Sequence, residues 1–204
     1  MPAALCGSPT LVKNLNQTYF KPAMSEIKFG KMRFLITDRP SEFVLDTFIK
    51  ELQRNRVKTV VRVCEPTYSS DLLKTYGIEV KDWEYADGSP PPEVVIENTP
   101  PPANRSSAAQ IIQVSPLPAN NYEKAIAVHC VSGLGRAPVL VGIALLEAGM
   151  PWQDALFLIR TNRRGAFNEK QLEFLKNYKP AGKLRKLRYA ANLDSKDRKS
   201  CAIM

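Results

Sequence analysis

Short apolar runs alternate with amphipathic stretches through most of this chain, and that alternation predicts strands followed by helices. Four runs predict strands: residues 32 to 37 (MRFLIT), 59 to 64 (TVVRVC), 78 to 83 (IEVKDW) and 125 to 128 (AIAV). The second run is rich in β-branched residues, as is typical of a central strand. Strands that alternate with helices predict an α/β fold, with a central, mostly parallel sheet flanked by helices. Ligands of such sheets bind beyond the carboxyl ends of the strands.

The amphipathic stretches predict the helices that cover this sheet. Helices are expected at residues 41 to 55, 71 to 77, 136 to 147, 151 to 160 and 168 to 179. Ser41 stands where it could cap the first of them. Asn168 and Gln171 match a capping box at the start of the last.

The folded part of the chain is expected to be one domain between two different flanking segments. A length of 204 residues with 44% apolar composition suits one α/β domain with a real core. Residues 1 to 26 show no convincing hydrophobic periodicity, which predicts a flexible extension. Residues 27 to 180 carry the alternating strand and helix patterns and form the predicted domain. Within that domain, residues 99 to 120 hold five prolines, which predicts a loop. Residues 181 to 204 form a basic tail.

More than half of the excess positive charge lies in this tail. Lys and Arg number 29 against 20 Asp and Glu, a net charge of +9, and residues 182 to 200 hold seven basic and two acidic residues. A basic surface suits phosphorylated substrates, anionic lipid or nucleic acid. Positive charge that is concentrated in a tail favours an anionic membrane surface as the partner. No basic face interleaved with aromatic residues supports nucleic-acid binding, so that partner is not expected.

The remaining composition predicts a cytosolic, reduced protein. Its four cysteines form no C-x-x-C pair and are too few for a disulfide scaffold. The N-terminus lacks the charged and apolar runs of a signal peptide, and no stretch approaches the roughly 18 apolar residues of a membrane span. The chain begins Met-Pro, which argues against N-myristoylation.

The candidate chemistry is concentrated in residues 128 to 138, VHCVSGLGRAP. Cys130 is followed by five small or apolar residues and then by Arg136, at the start of a predicted helix. Those five are Val131, Ser132, Gly133, Leu134 and Gly135. A loop of this kind directs backbone N–H groups at a phosphate, and the same groups favour a thiolate at Cys130. The planar guanidinium of Arg136 matches two phosphate oxygens.

The simpler interpretation of Cys130 is a buried cysteine at the end of a strand. The histidine before it, the two glycines and Arg136 favour a reactive cysteine instead. His129 is the only histidine in the chain, which argues against a histidine-based triad and against a multi-histidine metal site. The sequence therefore predicts nucleophilic chemistry that needs neither a metal nor a cofactor.

The pattern HC-x5-R is that of cysteine-based protein tyrosine phosphatases, and HCVSGLGRAPVL resembles one branch of them, the phosphatases of regenerating liver (the PRL group). The similarity covers about residues 27 to 97 and 125 to 180, including VRVCE at 61 to 65, Asp87-Gly88, and RRGAFN at 163 to 168. It implies a dual-specificity phosphatase-like fold. It also implies hydrolysis of phosphotyrosine in proteins through a phosphocysteine intermediate.

The same resemblance implies further roles for particular residues. Asp87 is expected to be the general acid, and Cys64 to form a reversible disulfide with Cys130. Cys201 begins a C-terminal CAIM box and is expected to be prenylated. The expected location is the cytoplasmic face of the plasma membrane or endomembranes, with a soluble cytosolic pool before prenylation. PRL-like proteins also bind magnesium-transport mediators of the CNNM type and turn over slowly, so a binding module is an alternative function.

The chain departs from the group in two places. Its general-acid loop has Glu84 in place of a proline and Ala86 in place of an aspartate, while Asp87 keeps the acid position. Residues 99 to 120 stand where the group has an amphipathic helix. A phosphoinositide phosphatase is a further alternative, which is weakened because residues 131 to 135 include none of the lysines common in inositide-directed loops.

Overall fold

The computed structural model describes residues 24–30, 32–92, 125–182 and 185, and the strands in these ranges form a five-stranded sheet. The strands are β1 (Ser25–Phe29), β2 (Met32–Thr37), β3 (Val57–Arg62), β4 (Glu79–Asp82) and β5 (Ala125–His129). Their order across the sheet is β1-β2-β5-β3-β4. Only the pair β1–β2 is antiparallel among these five strands. The prediction of a mostly parallel sheet is confirmed.

Five α-helices accompany the sheet in the described ranges, and all five were predicted. They are α1 (Leu45–Arg54), α2 (Asp71–Thr75), α3 (Arg136–Glu147), α4 (Trp152–Asn162) and α5 (Glu169–Asn177). The capping box of Asn168 and Gln171 is confirmed. The expected cap of the first helix differs, because a 3-10 turn (Glu42–Val44) precedes α1 and the Ser41 side chain makes no capping hydrogen bond.

Alternate side chains of the strands divide between two apolar clusters, one on each face of the sheet. Leu35, Val60 and Ala127 pack with residues of α1 and α2. Their neighbours in sequence point the other way and pack with residues of α3, α4 and α5. Every residue of α3 is buried, so this helix forms the centre of the second cluster. The sheet and α3 thus hold the segment between β5 and α3 from both sides.

Two details of the sheet differ from the sequence-based expectations. Strand β1 was not predicted, and its first two residues, Ser25 and Glu26, fall in the segment expected to be a flexible extension. They pair with β2, and Ile27 is fully buried opposite Phe34. Strand β3 ends at Arg62, so Cys64 lies two residues beyond it. Expectations for residues 1–23, for 99 to 120 and for most of the tail lie outside the described residues.

The C-terminal end of α3, at Glu147, binds the chain at the point where the basic tail begins. The buried carboxylate of Glu147 accepts hydrogen bonds from the Tyr178 hydroxyl (2.7 Å) and from the backbone N–H of Ala181 (3.0 Å). The end of α3 near Arg136 lies next to the predicted phosphate-binding segment. The tail therefore starts at the opposite end of the central helix. No helix in the described ranges is long and apolar enough to span a membrane.

Candidate active site

Residues 130 to 135 join β5 to α3 and are named the phosphate loop below. They comprise Cys130 and five of the predicted phosphate-binding residues, and the sixth, Arg136, begins α3. The strands on both sides of β5 are parallel to it, so their carboxyl ends meet at the loop. The backbone N–H of Arg39, after β2, donates to the Val131 carbonyl at 3.0 Å. The N–H of Val63, after β3, donates to the His129 carbonyl at 3.0 Å. Cys130 is buried in this setting, with 2% of its surface exposed.

Arg163, the C-cap residue of α4, holds the outer side of the phosphate loop. Its Nε donates to the Gly133 carbonyl (2.9 Å) and an Nη donates to the Ser132 carbonyl (2.8 Å). The same guanidinium pairs with Asp38, just beyond β2. In a trans peptide the N–H points away from the carbonyl, so the N–H groups of Gly133 and Leu134 are directed away from Arg163. Arg163 therefore stabilises a loop conformation in which these N–H groups face the opposite side, as an anion site in this loop requires.

Gly133 is the position where this support depends on glycine. Its φ is +67°, a left-handed conformation that side chains disfavour. A Cβ at this position would lie 2.3 Å from Nη2 of Arg163 and 2.6 Å from the carbonyl oxygen of Thr37. The loop backbone thus approaches both the supporting arginine and the end of β2 more closely than any side chain would allow.

The segment after β4, residues 83 to 92, brings the predicted general acid to the phosphate loop and is named the acid loop below. An Asp87 carboxylate oxygen lies 3.2 Å from Nε of Arg136 and also accepts the N–H of Gly88 at 2.9 Å. Two residues earlier, the buried Tyr85 hydroxyl donates to the Arg136 carbonyl (2.7 Å). An Nη of Arg136 donates to the Tyr85 carbonyl (3.0 Å). These contacts bring Asp87 and Arg136, which are 49 positions apart, into one site.

The Arg136 guanidinium is buried yet keeps hydrogen-bonding capacity. Its Nε is an ion-pair neighbour of Asp87, but the N–H direction does not satisfy a hydrogen bond to that carboxylate. Within the described residues this buried donor has no hydrogen-bond partner. A cavity of about 380 Å³ is lined by Cys64, Asp87, Val131 and Arg136, among others. A donor left unmatched beside a cavity suits an anionic oxygen of a ligand there.

The comparisons with known proteins point to one family. The chain is 45% identical to "PRL-1 phosphatase" of Drosophila melanogaster over 171 residues, which is 84% of this chain and 91% of that protein. It is 45% identical over 165 residues to "Protein tyrosine phosphatase type IVA 3" of Homo sapiens, covering 81% and 89% of the two chains. The chain belongs to the PRL group of protein tyrosine phosphatases. No family model matches it.

Solved structures support the phosphatase fold. The solved structure of a protein tyrosine phosphatase from Leishmania major is 36% identical to this chain with a TM-score of 0.62, covering 78% of this chain and 99% of that one. DUSP15 shares the fold at 17% identity with a TM-score of 0.56, covering 83% and 94%. The dual-specificity phosphatase-like fold is therefore confirmed. The chain is a phosphatase.

The second cysteine of this PRL-type site lies against the same cavity. Cys64 and Cys130 are both free thiols, and Cys64 is 1% exposed. Cys64 follows Val63, whose N–H bonds the residue before Cys130, so the two cysteines leave neighbouring strand ends. Burial raises the pKa of the Cys64 thiol, and the Arg136 guanidinium partly opposes that rise. Cys64 is therefore held as a neutral thiol close to Cys130.

The histidine of the PRL motif is structural. His129 is fully buried, and its Nε2 is 2.7 Å from the Tyr68 hydroxyl. Burial lowers the pKa of His129 to about 4, so the ring is neutral at pH 7. The backbone carbonyl of Tyr68 in turn accepts a hydrogen bond from Arg62 (2.6 Å), which also pairs with Asp82. His129 thus supports the strand end that carries Cys130.

The sequence-predicted site residues are partly brought together. Val131, Arg136 and Asp87 line the cavity, and Cys130 lies buried at the end of β5. Ser132 and Gly133 contribute through backbone groups that Arg163 holds. Sequence reasoning assigned no role to Arg163, Tyr85 or Tyr68. Their contacts join distant segments and have no local signature. Cys201 lies outside the described residues.

Proposed function

We propose that this PRL-type phosphatase hydrolyses phosphotyrosine in proteins, with Cys130 as nucleophile, Arg136 as phosphate clamp and Asp87 as general acid. The observation that carries the proposal is the convergence of Asp87 on Arg136, whose buried Nε keeps a donor for a phosphate oxygen. The loop behind them starts at Cys130 and is held by Arg163. The acid, Asp87, and the phosphate clamp, Arg136, therefore line one cavity, and the nucleophile, Cys130, lies next to it.

The reaction proceeds in two steps with these residues. The Cys130 thiolate attacks phosphorus while the bond to the tyrosine oxygen breaks, and Asp87 gives its proton to the departing phenolate. Loop N–H groups and Arg136 stabilise the charge on the equatorial oxygens. Water then attacks the phosphocysteine, its proton passes to the Asp87 carboxylate, and inorganic phosphate and the Cys130 thiolate are released. No other reactant is required.

Replacing Asp87 with alanine is expected to lower turnover of a phosphotyrosine peptide by about a hundredfold. The leaving phenol has a pKa of about 10, and general acids contribute roughly 10²- to 10⁴-fold. Turnover of 4-nitrophenyl phosphate, whose phenol is already acidic, should fall much less. Single-turnover phenol release on both substrates measures the difference. Equal losses on the two substrates would remove Asp87 from the acid role.

A reversible disulfide between Cys64 and Cys130 is proposed to protect the nucleophile. Peroxide oxidises the Cys130 thiolate to a sulfenic acid, and the Cys64 thiol condenses with it, releasing water. Mild peroxide should therefore inactivate the wild type, and dithiothreitol should restore its activity. The Cys64→Ser protein should be inactivated largely irreversibly. Peptide mapping checks the crosslink. Equal recovery of the two proteins, with no Cys64–Cys130 peptide, would contradict the proposal.

Membrane attachment is proposed to combine a lipid on Cys201 with the basic tail. The CAIM box ends in Met, which is typical of farnesylation, and one lipid chain binds only marginally. Each basic residue near an anionic surface adds roughly 1 kcal/mol. Cys201→Ser should move the protein from membranes to the soluble fraction of fractionated cells, whereas Cys6→Ser, a matched change near the other end, should not. A Cys201→Ser protein that stays on membranes would refute this attachment.

A further inference from the structure

The first turn of α5 contacts the acid loop through an atom that the helix cap does not use. In the capping box, Oδ1 of Asn168 accepts the N–H of Gln171 (2.9 Å), and Oε1 of Gln171 accepts the N–H of Asn168 (3.1 Å). Both cap interactions use side-chain oxygens. The amide nitrogen of Asn168 is left over, and it donates to the carbonyl of Gly88 at 2.9 Å. One side chain therefore completes a helix and binds another loop.

The contact holds the residue next to the proposed general acid. Asp87 itself is 73% exposed, so packing does little to fix its carboxylate. On its N-terminal side the loop is held by the Tyr85–Arg136 hydrogen bonds. On its C-terminal side the shortest hydrogen bond to another element is the one from Asn168, because the bond from Gln171 to the Ser89 carbonyl is 3.5 Å long. Asp87 therefore lies between two fixed points.

We propose that Asn168 is a positioning residue that holds Asp87 beside Arg136 through the Gly88 carbonyl. The inference rests on the proposed acid role of Asp87 and extends it to a residue 81 positions away. Gln171 lies near the phosphate loop, because a Cβ added at Gly135, at the end of that loop, would be 3.2 Å from its side-chain amide nitrogen. The cap of α5 thus hydrogen-bonds the acid loop through the Asn168 amide and lies close to the phosphate loop.

Asn168 offers variants that separate its two roles. Serine and aspartate cap helices about as well as asparagine, because each supplies the required side-chain oxygen. Neither replaces the amide donor to Gly88: serine is too short, and aspartate carries only acceptors. Serine leaves the charge unchanged and aspartate keeps the size, so a shared effect of both variants reports loss of the donor.

The experiment measures kcat/KM of the full chain on a phosphotyrosine peptide and on 4-nitrophenyl phosphate. We expect the ratio of the two values, peptide over aryl phosphate, to fall about two- to tenfold in Asn168→Ser and Asn168→Asp, the effect of one neutral hydrogen bond. Asn177→Ser, at the exposed other end of α5, should leave the ratio unchanged. Melting temperatures of the Asn168 variants should fall only slightly below that control, because one hydrogen bond is lost while the helix cap is kept. In an Asp87→Ala background, Asn168→Ser should produce no further fall in the ratio.

The outcomes separate this inference from the proposed function. An unchanged ratio in both Asn168 variants, with a reduced ratio in Asp87→Ala, would overturn the positioning role and leave the acid role intact. An equal fall with and without Asp87 would show that Asn168 acts by another route, which also overturns it. An unchanged ratio in Asp87→Ala itself would remove the acid role and this inference together.

Discussion

Replacing Cys130 with serine is expected to abolish turnover of a phosphotyrosine peptide, by at least about ten-thousandfold in kcat. A serine hydroxyl stays protonated at neutral pH, and the only histidine of the chain, His129, is buried and bonded to Tyr68 rather than free to act as a base. The two side chains are similar in size, so the buried site should still fold. Steady-state phosphate release by wild type and variant measures the loss.

The same variant provides its own control through binding. Arg136 and the phosphate loop are unchanged in Cys130→Ser, so the phosphotyrosine peptide should still bind, as calorimetry can measure. Acid quenching should trap a phosphorylated wild-type protein and none in the variant. Persistent hydrolysis by Cys130→Ser, or a phosphorylated residue other than Cys130, would disprove the nucleophile assignment.

Replacing Gly133 with alanine is expected to reduce kcat/KM by about a hundredfold or more. The new Cβ would lie 2.6 Å from the Thr37 carbonyl and 2.3 Å from Arg163, so the loop has to shift. Misplacing one donor of a preorganised anion site costs roughly 10²- to 10³-fold. Turnover of the phosphotyrosine peptide measures the loss, and urea unfolding measures stability.

Gly77→Ala is the matched control for this prediction. Gly77 has nearly the same backbone angle, φ +68° against +67°, but a Cβ there meets nothing within 4 Å. Both variants should lose about 1–2 kcal/mol of unfolding free energy from the left-handed backbone alone. Gly77→Ala should keep its activity. Similar activities of the two variants would mean that the contact with Arg163 and Thr37 is irrelevant to catalysis.

The fold could be predicted from the sequence largely because its signals are local. Strands β2 and β5 and the five helices are marked by apolar periodicity and by cap residues such as Asn168. Strand β1 escaped prediction because only Ile27 and Phe29 are apolar in its five residues. Its stability comes from pairing with β2, including Ile27 against Phe34, and that pairing is not encoded within the strand itself.

The chemistry of the site was predicted where it lies in one motif and was missed where it depends on long-range contacts. Cys130 and Arg136 belong to one continuous string, whereas Asp87 required a resemblance to known phosphatases. Arg163 lies in a string that resembles the same phosphatases, but the string itself indicates no role for it. Its role depends on carbonyl groups about 30 positions away, and a sequence gives no sign of which buried carbonyl an arginine will meet.

The hydrogen bond from Ala181 to Glu147 fixes the point where the basic tail leaves the domain. With a lipid on Cys201, the distance between the active site and a membrane is limited by the length of chain beyond that point. The chain is fixed at Ala181, at the end of α3 remote from Cys130, and α3 is about 18 Å long at 1.5 Å per residue. From Ala181 to Cys201 the chain can extend to at most about 70 Å, at roughly 3.5 Å per residue. A lipid on Cys201 would thus confine catalysis to a layer less than about 100 Å deep above the bilayer. Within that layer, phosphoproteins at different heights can be reached, with a local concentration that falls as the linker approaches full extension.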